Sequence, residues 1–295
     1  MKKKKADIAE IILHIVLILL VLSCILPLIL VISVSFTSEA GITTSGYKFI
    51  PSDFSLEAYR YIWISKKAIF NAYKVTILTT VIGTVISVIV MGLYAYPLSR
   101  SDFKFKSFFT FFVFFTMLFS GGLVAWYMVC TNILHLNDKL FGLILPYCMN
   151  AWFTLILRTF FKSSVPEAVI ESAKLDGAGE WRIFFTLVTP IAVPGIATIA
   201  LFQTLKYWND WLLPIYFVSS AKLYNLQFYL QNLLANIDDL KNNPELVSSA
   251  ASLADMPKEG VRMALCVVAM GPILIVYPFF QKYFIQGLTV GAVKG

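Results

Sequence analysis

Six long apolar runs constrain this chain more than any other feature of its sequence. Each run approaches the roughly 20 apolar residues that an α-helix needs to cross a bilayer. The predicted spans are Ile11–Phe36, Ala72–Leu98, Phe108–Val129, Leu140–Phe161, Leu187–Tyr207 and Met263–Phe284. Pro27 predicts a kink in the first span, and Ser120-Gly121-Gly122 interrupts the third. We therefore predict an all-α, polytopic membrane protein with six transmembrane helices.

The composition favours the same fold class. Hydrophobic residues make up 58% of the 295 residues and charged residues only 14%, whereas roughly a quarter of a soluble domain is charged. The net charge of +7 needs no nucleic-acid partner, because lysines and arginines flank the apolar runs as the positive-inside rule expects. The four cysteines are scattered without metal-ligand spacing and are interpreted as small core residues.

Basic residues in the short connections predict the orientation. Both termini are predicted to lie on the cytoplasmic side, because basic residues cluster at Lys2–Lys5, in the Arg100–Lys106 connection and in the C-terminal tail. We predict that residues 1–10 form a cytoplasmic tail and that residues 11–295 form one six-span domain. Outside the membrane, we predict a short surface helix around Leu56–Trp63 and a large outer loop at 208–262.

A charged island at residues 162–186 separates the fourth and fifth spans. Ser164 and Glu167 have the spacing of a capping box. An apolar face at helical spacing comprises Val165, Ala168, Ser172 and Leu175. Asp176-Gly177 ends this short helix, because glycine tolerates a left-handed backbone, and a second short helix is predicted over Ala178–Thr186. Such a polar island indicates a docking surface for another protein.

The charged island also carries a family resemblance. Glu171-Ser172-Ala173 and then Gly177, Leu187 and Pro190 resemble the EAA loop of ABC importer permeases in residue type and spacing. Asp176-Gly177-Ala178 resembles the Asp-Gly-Ala of that loop, whereas Ser172 replaces its middle alanine. The resemblance implies that this island couples the subunit to an ATPase in the cytoplasm, and we therefore call residues 162–186 the coupling loop. The implied ATPase-coupling residues are Glu167, Glu171, Ala173, Asp176, Gly177, Ala178 and Pro190.

Further motifs resemble permeases for carbohydrates. Trp208-Asn209-Asp210 is typical of them, and the run from Tyr277 to Gly295 resembles their closing signature. Phe119–Gly122 and Arg158–Phe161 resemble the LplC/YtcP subgroup, whose members import complex or acidic oligosaccharides. Ala125-Trp126-Tyr127 departs from the Pro-Thr-Tyr of that subgroup, so the identity of the sugar stays open.

This resemblance implies a permease subunit of an ATP-driven carbohydrate importer in the bacterial cell membrane, with an oligosaccharide favoured as substrate. It implies a second, homologous permease, two ABC ATPases and an extracytoplasmic solute-binding protein as partners, besides membrane lipid. It implies no catalytic residue, metal or cofactor in this subunit, since the partner ATPase binds ATP and Mg.

Other function classes fit the residues less well. The sequence contains no G-x-x-x-x-G-K-[ST] phosphate cradle, and His14 and His135 stand in no metal or triad pattern. An ABC permease for a non-sugar solute remains an alternative. A secondary transporter would need a central carboxylate in a span, and an embedded enzyme would need a nucleophile with its base. The six apolar runs provide neither.

Polar and amphipathic groups in or beside the spans are the candidates for the substrate pathway, because they are costly there. These candidates are Asn150, Trp152, Gln203, Tyr207, Trp208, Asn209 and Asp210. Aromatic faces stack on sugar rings, but the cluster at 207–211 is as typical of an interfacial aromatic belt. The candidates at 150, 152 and 203 alternatively bond neighbouring helices.

The outer loop is the candidate contact for the binding protein. By the resemblance, this loop reaches into the docked binding protein and helps to release the sugar. Its polar candidates are Asp238, Asp239, Asn242 and Asn243. The alternative is that these residues only keep a surface loop solvated.

Overall fold

The computed structural model describes residues 8–242 and 258–292, and most of these residues are helical. The α-helices are α1 Ile8–Ser35, α2 Glu39–Ser45, α3 Glu57–Ile64, α4 Lys66–Ser99, α5 Lys106–Leu118, α6 Gly122–Met128, α7 Ala151–Ser164, α8 Glu167–Leu175, α9 Glu180–Ile183, α10 Thr189–Ile191, α11 Val193–Trp208, α12 Leu212–Phe217, α13 Leu226–Asn242 and α14 Lys258–Ala292. Single π-helical segments follow α6 and α9, at Val129–Ile133 and Phe184–Val188. Within the described ranges, β pairing is limited to one isolated bridge between Thr37 and Phe54.

Two helical segments are long and apolar enough to cross a membrane unbroken, Ala9–Ser35 and Lys66–Ser99. Three more spans qualify only if two helices joined at a bend are counted together. The bends are 118° between Lys106–Leu118 and Gly122–Ile133, 56° between Leu140–Tyr147 and Ala151–Ser164, and 83° between Glu180–Ile191 and Val193–Trp208. Five of the six predicted runs thus coincide with helices of sufficient length and composition. The sixth lies on α14 and stays a prediction.

The bends occur where the sequence cannot easily continue an α-helix. Gly122 has φ +79°, a left-handed conformation that glycine adopts without strain. Pro194 in the first turn of α11 lacks a backbone N–H and disfavours a helical conformation at the residue before it. Asn150 has an extended backbone and caps α7. By contrast, α1 continues through Pro27 without a break in its helical assignment.

The described residues divide into two compact units. One comprises the chain up to Lys66 together with Asn232–Pro272, and the other comprises Lys67–Gln231 together with the chain from Ile273. In the first unit, both carboxylate oxygens of Glu39 accept hydrogen bonds from backbone N–H groups at the start of α14, at 3.2 and 3.1 Å. Tyr47 also donates to Glu259 at 2.9 Å. Two of the free N–H groups at the start of α14 are thereby satisfied.

The second unit is organised around α4, α7 and α11. Small residues let these helices approach closely, as in membrane helix packing generally. A β-carbon on Gly83 of α4 would lie 2.6 Å from Cζ of Tyr207, and one on Gly195 of α11 would lie 2.5 Å from Cδ1 of Phe160. The Phe153 and Phe202 rings stack at a centroid distance of 5.6 Å. These contacts place the core of the unit along α11.

Outside the predicted spans, the short surface helix around Leu56–Trp63 is confirmed as α3. The large outer loop at 208–262 is more helical than the sequence indicated. Its first part forms α12 and the 17-residue helix α13, and its last residues begin α14.

Replacing Gly83 by alanine is expected to destabilise the protein by about 1–3 kcal/mol, because the added methyl group overlaps the buried Tyr207 ring. Gly92→Ala, on the same helix, is the matched control, since its β-carbon would meet Phe184 at an ordinary 3.4 Å. Thermal unfolding of the purified chains in detergent measures the difference. An equal unfolding temperature for the two variants would contradict the close approach at Gly83.

Candidate coupling site

The first helix of the coupling loop, α8, begins later than the capping box predicts. Ser164 is the last residue of α7, and Pro166 takes the N-cap position of α8 without any side-chain cap bond. The predicted capping box is therefore wrong. The Glu167 carboxylate instead accepts a hydrogen bond from the hydroxyl of Ser101, in the turn between α4 and α5.

The buried face of α8 also differs from the predicted one. Ile170 is only 3% exposed and packs in a cluster with Phe161 and Ile183, with Ala173 partly buried beside it. Leu175, which the sequence pattern assigned to the apolar face, is 89% exposed. The predicted face is thus mostly turned outward, since Ala168 and Ser172 are exposed as well. Because α8 packs against α7 and α9, the face that carries Ile170 is buried instead.

The turn after α8 is a Schellman motif with glycine at its left-handed position. Gly177 has φ +77°, its N–H donates to the Lys174 carbonyl at 3.0 Å, and the N–H of Ala178 donates to the Ala173 carbonyl at 2.9 Å. These two bonds satisfy carbonyls at the helix end, and Ala173 and Ala178 both pack on the core cluster. The small residues of the EAA-like motif therefore have a physical cause, since Gly177 adopts the left-handed backbone of the turn and the two alanines pack on the core.

Lys174 ties the coupling loop to the turn between α4 and α5. Its ammonium lies 2.6 Å from Asp102 and 2.8 Å from Glu180. Tyr96 of α4 donates its hydroxyl to the other oxygen of Glu180 at 2.7 Å. Arg100 completes the group, at 3.4 Å from Asp102. Polar contacts therefore hold both ends of the α8–α9 turn against α4 and against the turn between α4 and α5.

Mutual pairing shifts the pKa values of this network. The hydrogen bond to Asp102 raises the pKa of Lys174 above 10.5, and the same bond lowers the pKa of Asp102 below 3.8. Burial pushes the pKa of Glu180 upward, but its bonds to Lys174 and Tyr96 outweigh burial and lower the pKa below 4.5.

These shifts define a pH window for the network. The carboxylates stabilise the fold above their ordinary pKa values and lose that effect as the pH falls through the lowered ones. Lys174 stabilises the fold below the ordinary pKa of lysine and loses that effect as the pH rises through its raised pKa. The bridge is therefore charged between about pH 5 and about pH 10. Its charged side chains are at least 36% exposed, so each pair contributes only about 0–1 kcal/mol.

Most of the remaining coupling candidates are exposed. Glu171, Asp176 and Pro190 are exposed, whereas Ala178 is partly buried. Glu171 and the largely exposed Leu175 lie one turn apart on α8. A carboxylate and an apolar side chain at that spacing form the uncovered face of the helix.

Among the substrate-pathway candidates, Gln203 and Tyr207 are buried in the core of the second unit. Tyr207 donates to the Ile144 carbonyl at 2.9 Å and lies 3.1 Å from the Ser87 hydroxyl. Gln203 donates to the Tyr147 carbonyl at 3.3 Å. Both side chains bond neighbouring segments of the fold, which was the alternative left open for Gln203.

Two further candidates act as helix caps. Asn150 accepts from the Phe153 N–H at 3.1 Å, and Asp210 accepts from the N–H groups at the start of α12 at 3.1 and 3.2 Å. Asp210 is 6% exposed, so it is not one of the solvated residues of an aromatic belt. The remaining candidates are Trp208, which is buried, and Trp152 and Asn209, which are exposed.

The binding-protein candidates lie at the edge of the described chain. Asp238, Asp239 and Asn242 belong to the last turns of α13, and Asn243 lies outside the described residues. Their role stays a prediction.

Sequence reasoning missed three groups that the fold brings to these sites. Asp102 and Tyr96 meet the coupling loop from 72 and 84 residues away along the chain, so no local pattern could have shown their contacts. Lys206 of α11 was missed although its sequence carried a signal, a cation near the end of an apolar run. Its ammonium lies 3.9 Å from the centre of the Tyr147 ring.

Comparison with known proteins decides the family. Residues 88–290 match the family described as the binding-protein-dependent transport system inner membrane component. The chain belongs to this family. The family predicted from the coupling loop is thereby confirmed, and the protein is a membrane-embedded transport permease that works with other subunits.

Individual relatives resemble this permease over nearly their whole length. It is 38% identical to the polygalacturonan/rhamnogalacturonan transport system permease protein YtcP of Bacillus subtilis (strain 168), covering 95% of this chain and 96% of that one. It is 34% identical to protein LplC of the same organism, covering 92% and 90%. It also superposes on a chain of a bacterial ABC transporter involved in the import of the acidic polysaccharide alginate, with a TM-score of 0.81, 30% identity and coverage of 96% and 99%.

Replacing Gly177 by valine is expected to loosen the end of α8, because a β-branched residue at φ +77° is strained by about 1–2 kcal/mol. Gly179→Val is the matched control, since Gly179 has φ −71° and no atom lies within 4 Å of an added β-carbon. Hydrogen exchange of the Gly177 and Ala178 amide region measures the loosening. Equal exchange in the two variants would contradict the requirement for glycine.

Proposed function

We propose that this permease is the transmembrane subunit of an ATP-driven oligosaccharide importer. Its overall likeness to carbohydrate permeases carries the proposal. The similar proteins include the polygalacturonan/rhamnogalacturonan permease, an alginate importer chain and an arabinooligosaccharide permease of Bacillus subtilis (strain 168) at 27% identity. Their named substrates are all built from several sugar units. A solute of another chemical class is the alternative within the same family.

The proposal includes partners and an orientation. A second, homologous permease completes the pathway, two ABC ATPases bind the coupling loop on the cytoplasmic side, and an extracytoplasmic binding protein delivers the sugar. Both chain termini lie in the cytoplasm of a bacterial cell, and the outer loop faces the binding protein. ATP hydrolysis belongs to the ATPases, so this subunit contributes movement and a path rather than chemistry.

The uncovered face of α8 supports ATPase docking. Leu175 is 89% exposed, and a short helix with one apolar side chain and one carboxylate on its free face suits a groove in a partner. The opposite face, with Ile170, is anchored in the core cluster shared with α4 and α7. A displacement of the ATPase is therefore transmitted to the spans as a rigid-body motion. This linkage is the mechanism proposed for alternating access.

Charge reversal at Glu171 is expected to weaken ATPase association about 10- to 100-fold, because a charge-assisted contact contributes about 1.5–3 kcal/mol. Leu175→Glu is expected to weaken it as well, by placing a charge in the apolar part of the contact. Co-purification of the ATPase with the permease from membranes measures both effects. Glu57→Lys, an exposed reversal at the start of α3, is the control. Full ATPase recovery with both coupling-loop variants would reject docking on this face.

An acidic oligosaccharide is favoured as the substrate by Lys206. This half-buried cation lies in an apolar helix, above the Tyr147 ring, and an ionisable residue inside a membrane span is by default a candidate functional residue. Ammonium groups pair with carboxylates, and aromatic rings stack on sugar faces. The names of two similar proteins, for polygalacturonan/rhamnogalacturonan and for alginate, denote carboxylate-bearing polymers.

Lys206→Gln is expected to lower uptake of oligogalacturonate about tenfold, because it removes one charge-assisted contact. Lys206→Arg keeps the charge and is expected to retain most of the uptake. Uptake of labelled oligogalacturonate and of a neutral oligosaccharide by cells with the complete importer measures selectivity. An equal loss for both sugars would assign Lys206 a structural role instead.

A further inference from the structure

A basic cavity of about 260 Å³ lies beneath the coupling loop. It is enclosed by the end of α4, the start of α5, the last turns of α7 and the start of α8. Its basic lining residues are Arg100, Lys106, Arg158 and Lys162. Glu167 is its single acidic lining residue, and that carboxylate accepts a hydrogen bond from Ser101.

Most of this positive charge has no protein counter-ion. Arg100 is 7% exposed and is paired with Asp102, to which its Nη2 donates a hydrogen bond at 3.4 Å, whereas its Nε makes no hydrogen bond. Arg158 donates its Nε to the Leu98 carbonyl at 3.1 Å, and Lys106 reaches only the Ser101 carbonyl at 3.4 Å. Within the described part of the chain, no carboxylate lies within ion-pair distance of Lys106, Arg158 or Lys162. Of the four cations, Arg100 is buried, Lys106 and Arg158 are partly buried and Lys162 is exposed. Cations clustered in this way repel one another, and a bound anion offsets that repulsion.

An apolar groove adjoins this cavity. The groove has a volume of about 440 Å³ and shares Lys106 and Arg158 with the cavity. From these two cations it runs between α5 and α7, along Phe111, Phe114 and Leu155. Phe111 and Phe114 are 62% and 45% exposed. A cationic cavity that shares two cations with an adjoining apolar groove matches the two-part chemistry of a phospholipid.

We propose that this site binds an anionic phospholipid, with the phosphate in the basic cavity and an acyl chain along the α5–α7 groove. A phosphate diester accepts hydrogen bonds from guanidinium and ammonium groups at once, and arginine is suited to that geometry. Free phosphate shares the head-group chemistry but has no part that fills the groove. The groove therefore selects the lipid over the free anion.

The site has a consequence for the coupling loop. Pro166, Glu167 and Ile170 form one wall of the cavity, so a bound head group contacts the start of α8 directly. The lipid thereby stabilises the position in which α8 rests on the core. Anionic lipid content of the membrane is a means of regulating the docking face.

Native mass spectrometry of the importer complex with added phosphatidylglycerol tests the site. Lys106→Gln and Arg158→Gln are expected to lower phosphatidylglycerol retention about tenfold each, because each removes a charge-assisted contact. Lys104→Gln is the matched control, since this exposed lysine lies in the same turn but outside the cavity lining. Lys106→Arg is expected to retain the lipid. Lys162→Gln, at an exposed position that leaves the core intact, covers the case in which Arg158→Gln fails to fold.

The outcomes are distinguishable. Selective retention of phosphatidylglycerol over phosphatidylcholine, lost with Lys106→Gln and Lys162→Gln but not with Lys104→Gln, supports the proposal. Equal retention by all variants, or an equal loss with Lys104→Gln, overturns it. Displacement of the lipid by millimolar inorganic phosphate also overturns it, because the cavity would then bind a free anion. This readout is independent of transport and so of the proposed substrate.

Discussion

The packing of the second unit depends on the need to satisfy polar groups where the apolar spans are broken. The fourth span is not a continuous helix, and its 3-10 turns present carbonyls outside a regular α-helical ladder. Tyr207 and Gln203 of α11 donate to two of these carbonyls, at Ile144 and Tyr147. An unsatisfied backbone group in a bilayer costs several kcal/mol. The Tyr207 ring reaches this position only because Gly83 leaves room for it, so α4, α11 and the broken span form one interdependent core.

The coupling loop is held by apolar packing, which we call the apolar anchor, and by weaker exposed ion pairs, which we call the polar braces. Ile170 and the two alanines beside the Gly177 turn hold α8 against α7 and α9, while the Lys174 bridge is largely exposed and contributes little energy. The apolar anchor makes the position of α8 on the core rigid. The polar braces set where α8 meets the turn after α4. The same turn, through Arg100 and Lys106, also lines the proposed lipid site.

Local patterns predicted the parts of the site that depend on neighbouring residues in the chain. The turn at Gly177 followed from glycine and its spacing, and the structure shows the expected left-handed backbone. The capping box failed because Ser164 remained in α7, where continuing the helix satisfies its backbone. The apolar face of α8 failed for a related reason. In a helix of 9 residues, several stripes are compatible with the periodicity, and the neighbouring helices decide which is buried.

The sequence by itself determined the fold class and the family. Apolar runs of bilayer length require helices, because only internally bonded backbones tolerate a membrane, and the coupling loop has a motif of fixed spacing. Only the tertiary structure decided where the spans bend, which residues pair and which cavities form. Lys174 meets Asp102 across 72 residues of chain, and the basic cavity draws its cations from three separate elements. Such contacts depend on how helices pack in space, and the periodicity of one helix does not show which partner its face will meet.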